Sequence, residues 1–207
     1  MTDAIRGFFR EVSRCRLCYS GHSDIIVPLP DPLPTKPRLL VIGEQPCRVS
    51  SAEGRNGMDG SEPGSQHLRS YLERAGVDLA DVLYVTAVLC LPEKVELRAG
   101  RPTATETKQC ARHLRKLVER VQPKLVVPLG HTGLLSMQFA FPEWTELRQF
   151  ILNYDIGAVL ARGDLTVYPL YLPSASTLNA RPEGRQLRDW QKIPGVLESL
   201  EREARTG

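Results

Sequence analysis

Two cysteines stand three residues apart in Cys15-Arg16-Leu17-Cys18, a Cys-x-x-Cys spacing that lets two thiolates reach one metal ion or cluster from a single turn. Cys90 and Cys110 lie far downstream. A fold that brings them to the first pair completes four thiolates, the ligand set of structural zinc sites and of iron–sulfur clusters. Taken singly, Cys90 and Cys110 also read as small buried hydrophobes. The chain has five cysteines, and Met1 to Arg10 lack the apolar core of a signal peptide, so a bound centre is expected rather than a disulfide framework. Spacing does not separate four-thiolate zinc from [4Fe–4S].

The elements that must position these thiols follow from the rest of the 207 residues. Hydrophobic residues make up 42% and charged residues 25%, the balance of a globular chain, and the length suits one domain spanning residues 1–207. No apolar run reaches the roughly 20 residues of a membrane helix, so a cytoplasmic (or, in a eukaryote, nuclear) monomer without membrane contact is expected. The formal charge of +3 permits a polyanionic partner without arguing for one.

Ala4, Ile5, Phe8, Phe9 and Val12 recur at helical spacing, which predicts an amphipathic helix over about 3–14 that ends at Cys15. Pro28, Pro30, Pro32, Pro34 and Pro37 then make an extended connector, and residues 1–37 should pack on the domain as a unit. Four β-branched apolar runs follow at Arg38–Glu44, Val82–Leu89, Lys124–Gly130 and Leu165–Leu172, separated mostly by helical patterns. One such helix carries Leu68, Tyr71, Leu72 and Ala75 on a face and stops at Gly76; the next carries Cys110, Leu114, Leu117, Val118 and Val121. This alternation predicts an α/β fold, a three-layer α/β/α sandwich around a central four-stranded, mainly parallel sheet. Arg162-Gly163-Asp164 reads as a hairpin turn before the last strand, and Trp190, Val196, Leu197 and Leu200 as a C-terminal helical segment broken at Pro194. In open parallel sheets ligands bind beyond the carboxyl ends of the strands, here Gly43–Gly64, Thr86–Pro102, Gly130–Gly133 and Tyr171–Pro182.

Those segments resemble the family 4 uracil-DNA glycosylases, the iron–sulfur branch of the uracil-DNA glycosylase superfamily, over roughly residues 12–192. The resemblance maps the [4Fe–4S] ligands onto Cys15, Cys18, Cys90 and Cys110. Gly43-Glu44-Gln45-Pro46-Cys47 is similar to the Gly-Glu-x-Pro-Gly loop of the family, with only the last glycine changed. Arg101-Pro102-Thr103 with Glu106 resembles its Arg-x-Pro-Thr stretch, and Gln122-Pro123-Lys124 leading to Leu129-Gly130 its Arg-Pro-Lys strand ending in Leu-Gly. Tyr171-Leu172-Pro173-Ser174, with Leu178 and Arg181-Pro182, resembles the His-Pro-Ser loop that enters the DNA minor groove. Three base-contacting positions depart from the pattern. The stacking aromatic aligns at Met58, the uracil-reading asparagine at Thr86 or Ala87, and the histidine that steadies the leaving base at Leu172.

The resemblance implies an enzyme of DNA repair whose partner is DNA containing a damaged base, uracil or a related deaminated base. Such an enzyme extrudes the nucleotide, encloses the base and hydrolyses the N-glycosidic bond. The sugar acquires oxocarbenium character, so a carboxylate beside it stabilises charge and orients water. Glu44 is the first candidate for that role, with Gln45 to hold the water or the base; the alternative for Glu44 is a carboxylate that caps its loop. Gly43, Pro46, Met58, Thr86, Ala87 and Leu172 complete the expected pocket, with Pro173, Ser174, Arg101 and Arg181 on the DNA side. His131 reads equally as a helix-entry residue or a functional one, and His67 and His113 as solvated helix positions. The lost asparagine, histidine and aromatic motivate a second reading, a noncatalytic iron–sulfur protein that recognises nucleic acid. A third, an electron-transfer protein, rests on the cysteines alone.

Overall fold

The computed structural model describes residues 2–18, 25–31, 33–46, 55–57, 63–92 and 101–206. Its central sheet is built from β3 (Leu39–Gly43), β5 (Val82–Thr86), β7 (Leu125–Pro128), β8 (Leu160–Arg162) and β9 (Leu165–Val167) in the order β5-β3-β7-β9-β8. The first four in that order run parallel, and β8 joins antiparallel to β9. The sheet therefore has five strands where four were expected. The hairpin turn at Arg162-Gly163-Asp164 is present, with Gly163 in the left-handed region at φ +57°. The strand before it is three residues long and mostly exposed, so it lacks the apolar run by which the others were recognised.

Side chains of successive strand residues leave opposite faces, which divides the interior in two. Leu40, Ile42, Leu83, Val85 and Val126 meet helices α1 (Thr2–Val12), α3 (Ala104–Val121) and α4 (Gly130–Ala140). Leu39, Val41, Val82, Leu125 and Val127 meet α2 (Pro63–Arg74), α7 (Glu183–Trp190) and α8 (Ile193–Thr206). The three-layer α/β/α sandwich follows directly from this alternation. Two short helices, α5 (Thr145–Gln149) and α6 (Leu152–Asp155), extend the first layer through Leu147 and Leu152.

Local signals set the helix ends near the functional edge. Thr103 caps α3 by accepting from the Glu106 amide at 3.2 Å, while Glu106 accepts from the Thr103 amide at 2.9 Å, a capping box that fixes where the chain enters α3 after Arg101. The C-terminal break falls at Gln191–Lys192, one turn before the expected position. Pro194 sits instead in the first turn of α8, where a missing N–H costs no helical hydrogen bond. The proline-rich connector does more than link: β1 (Ile25–Ile26) pairs antiparallel with β6 (Leu91–Pro92), and β2 (Leu29–Asp31) pairs parallel with β4 (Arg55–Gly57). Among the described residues, no helix is long and apolar enough to cross a membrane.

Candidate active site and cysteine cavity

Glu44 follows directly on the last residue of β3, so the sheet delivers its side chain to the carboxyl edge. The neighbouring strand end is tied to it: the Ala87 amide donates to the Gly43 carbonyl at 2.9 Å and the Val88 amide to the Glu44 carbonyl at 3.3 Å. Gly43 has no room for a side chain, since a Cβ there overlaps the Tyr84 hydroxyl. At the start of α4, Gly130 adopts φ +65°, and a Cβ placed on it lies 3.5 Å from Leu172 Cβ and 3.9 Å from Glu44 Oε1. Glu44, the strand end at Thr86–Ala87 and the segment beginning at Leu172 thus meet at one corner.

Three features surround the Glu44 carboxylate. The Thr132 hydroxyl, in the first turn of α4, donates to Oε1 at 3.3 Å, and Arg101 Nε lies 3.6 Å from the same oxygen. The N-terminal end of α4 also favours negative charge at this spot. Glu44 keeps 19% side-chain exposure, so the carboxylate is reachable from outside. Gln45 is half-buried and Pro46 buried beside it. Thr132 went unnoticed in the sequence; its one signal is its place immediately after the Leu129-Gly130 strand end.

Thr86 and Ala87, by contrast, are fully buried, and the Thr86 hydroxyl donates to the Val88 carbonyl at 2.8 Å. The strand end supplies backbone to the corner, while these two side chains belong to the interior. Met58 and Cys47 lie outside the described residues. His131 is exposed in the first turn of α4, and His67 is exposed on α2.

The segment after Leu172 is braced from within. Thr177 Oγ1 donates to the carbonyls of Leu172 at 2.8 Å and Ser174 at 2.9 Å. Buried Gln186, on α7, donates to the Arg181 carbonyl at 2.7 Å and to Thr177 Oγ1 at 3.2 Å. Arg181 makes a two-pronged ion pair with buried Asp189, which raises the guanidinium pKa chiefly through that hydrogen bond. The Arg181 side chain therefore positions its own loop. Arg101, at 65% exposure, stays accessible, as do Ser174 in part and Leu178 at the loop surface. Neither Asp189 nor Gln186 carries a motif by which the sequence betrays it.

Below this edge the four expected cysteines line one cavity. Cys15 and Cys18 reach it from beyond the end of α1, Cys90 from beyond β5 and Cys110 from α3, alongside Val12, Leu17, Val88, Gln109 and His113. All four carry thiols rather than disulfides. Cys18 Sγ donates to Gln109 Oε1 at 3.0 Å, and the Leu89 amide donates to Cys110 Sγ at 3.3 Å. Burial pushes the Cys110 thiol up to about 12, opposed by the Leu89 N–H and reinforced by the nearness of Cys18 and Cys15. Among the described residues, no three His, Cys, Asp or Glu side chains are close enough to hold a single metal ion. His113, expected to be solvated, is half-buried in this cavity, and its Nε2 is buried with no hydrogen-bond partner. Burial and the cations Arg112 and Lys116 lower its pKa, against a smaller opposing effect of Glu11.

A parallel-sheet α/β sandwich with a reachable carboxylate after its first core strand, facing a braced loop after its last parallel one, defines a protein that works at the carboxyl edge of its sheet. The chain belongs to the uracil-DNA glycosylase superfamily, whose family model matches residues 30–193. It is also similar to a type-5 uracil-DNA glycosylase of Pyrobaculum aerophilum, 31% identical over 104 residues, which is 50% of this chain and 41% of that protein. The matched stretch is thus under half the length of that relative. The superfamily match does not choose a branch: the curated relative is of type 5, whereas the cysteine and loop motifs resemble family 4.

Proposed function

We propose that this protein is a monofunctional DNA glycosylase that flips a deaminated base, uracil or a close relative, out of DNA and hydrolyses its N-glycosidic bond. The observation that carries this reading is the corner where the Glu44 carboxylate meets the Leu172 segment in a chain of this superfamily. Glu44, with Thr132 donating to it, stabilises the developing positive charge of the sugar and orients the attacking water. Water adds to the anomeric carbon as the bond to the base breaks, and the departing base takes up a proton. The braced loop from Pro173 to Pro182 with exposed Leu178 presents a wedge to the duplex, and Arg101 and Ser174 face the strand.

Leu172 has no hydrogen-bond donor for the leaving base, and this supports the alternative of a noncatalytic nucleic-acid-binding member. A panel of oligonucleotides carrying uracil, hypoxanthine or other lesions, single- and double-stranded, separates the two readings. The enzyme releases one of these bases and the Glu44→Ala variant does not; absence of release from every substrate by folded, metal-loaded protein defeats the catalytic reading.

The cysteine cavity fits a [4Fe–4S] cluster. Its donor set is four thiols lining one cavity, and the buried His113 Nε2, without a hydrogen-bond partner, sits beside them. A zinc ion is the less favoured alternative, because the resemblance to family 4 implies a cluster on these four positions. Cys15, Cys18, Cys90 and Cys110 would hold the cluster. When bound, such a group ties distant chain segments together and can accept or release one electron.

A further inference from the structure

His113 stands three residues after Cys110 on α3, so the two side chains share a helix face, and both line the cysteine cavity. Its Nε2 is shielded from solvent and bonded to nothing. Buried polar groups are almost always hydrogen-bonded, and an exception in a native fold points to a missing partner. The cavity offers few partners besides sulfur. Its apolar wall cannot accept, and Gln109 Oε1, one turn before His113, is already engaged by Cys18 Sγ. Once the thiols have become ligands, their sulfurs and those of the cluster are acceptors carrying negative charge, the groups to which a lone N–H in this cavity can donate.

We infer that His113 is a hydrogen-bond donor to the sulfurs of the cysteine-held cluster and raises its reduction potential by stabilising the more negative reduced form. This rests on the iron–sulfur reading above and assigns to it a residue outside the cysteine set. His113 is a positioning and tuning residue of the cavity, outside the group of side chains at the Glu44 corner.

Redox titration of the purified iron-loaded chain, followed by visible absorption and electron paramagnetic resonance, tests it. His113→Phe keeps a planar ring and removes the N–H. The midpoint should fall, with about a tenfold change in the reduction equilibrium, equivalent to 59 mV for a one-electron couple. His113→Asn, which retains an N–H donor, should lie closer to wild type. A His113→Phe cluster with the wild-type midpoint overturns the assignment, as does loss of the cluster from both variants, which would make His113 a packing residue. If His113→Phe alone loses the cluster and His113→Asn keeps it, the donor role stands. Wild-type protein that carries no iron–sulfur absorption after anaerobic reconstitution overturns the cluster reading and this assignment together, whereas base excision by that same protein would leave the glycosylase proposal intact.

Discussion

The Glu44 corner and the cysteine cavity both grow from residues that follow core strands, yet they are built by opposite rules. At the corner a carboxylate is kept partly exposed, beside a helix start, a hydroxyl and a guanidinium. In the cavity Val12, Leu17 and Val88 surround the cysteines, and burial pushes the Cys110 thiol up to about 12. The first arrangement surrounds its charge with polar groups of the chain itself. In the second, a thiolate at Cys110 would have little beyond the Leu89 N–H to offset its burial.

The sharpest way to break this contrast is Glu44→Gln, which removes the charge and keeps the shape. Base excision should slow by about 100- to 1,000-fold, the scale seen when one preorganised transition-state contact is lost. Visible absorption of the loaded protein should not change; a bleached spectrum would show that the two regions are one. Cys110→Ser is the reciprocal test. It places a hydroxyl in an apolar setting and removes a ligand, so iron content should drop at least tenfold and stability fall by about 1–3 kcal/mol in denaturant titration.

A buried acid with no metal to serve sharpens the cavity side. Tyr168 is fully buried on the opposite face of the sheet and donates to the Asp189 carbonyl at 3.1 Å; burial, then the Asp189 charge, pushes it up to about 12 from 10.0. A folded pKa above the unfolded one contributes stability that is complete below pH 10 and is lost as pH rises toward 12, on the order of 2 kcal/mol in all. Denaturation midpoints measured between pH 9 and 12 should show that alkaline loss in wild type and a shallower one in Tyr168→Phe. The smallest expected effect is at Thr132→Val. The lost donor to Glu44 is worth about 1 kcal/mol, so excision should slow roughly fivefold with thermal stability preserved.

Much of the architecture was legible because strands buried on both faces read as continuous apolar runs, as in Leu39–Ile42 and Leu125–Val127. β8 escaped because Leu160–Arg162 is short and exposed. The Glu44 loop was visible through its motif, whereas Thr132 was not, since a threonine in a first helical turn has no pattern of its own. Arg181 looked like a residue for DNA until Asp189, eight positions on, was seen to hold it from α7. His113 looked solvated because helical periodicity places it on a face without saying what covers that face.

Periodicity and proline placement were enough, by themselves, to determine the α/β layering, because it depends on local geometry repeated along the chain, and the Cys-x-x-Cys spacing was enough to mark Cys15 and Cys18 as a pair. Which carboxylate oxygen meets which hydroxyl, which arginine is spent inside the protein, and which imidazole nitrogen is left without a partner were decided only by tertiary structure. Such contacts join residues far apart in the chain, 88 positions for Glu44 and Thr132, and the packing of whole layers, rather than any local preference, sets the distance between them.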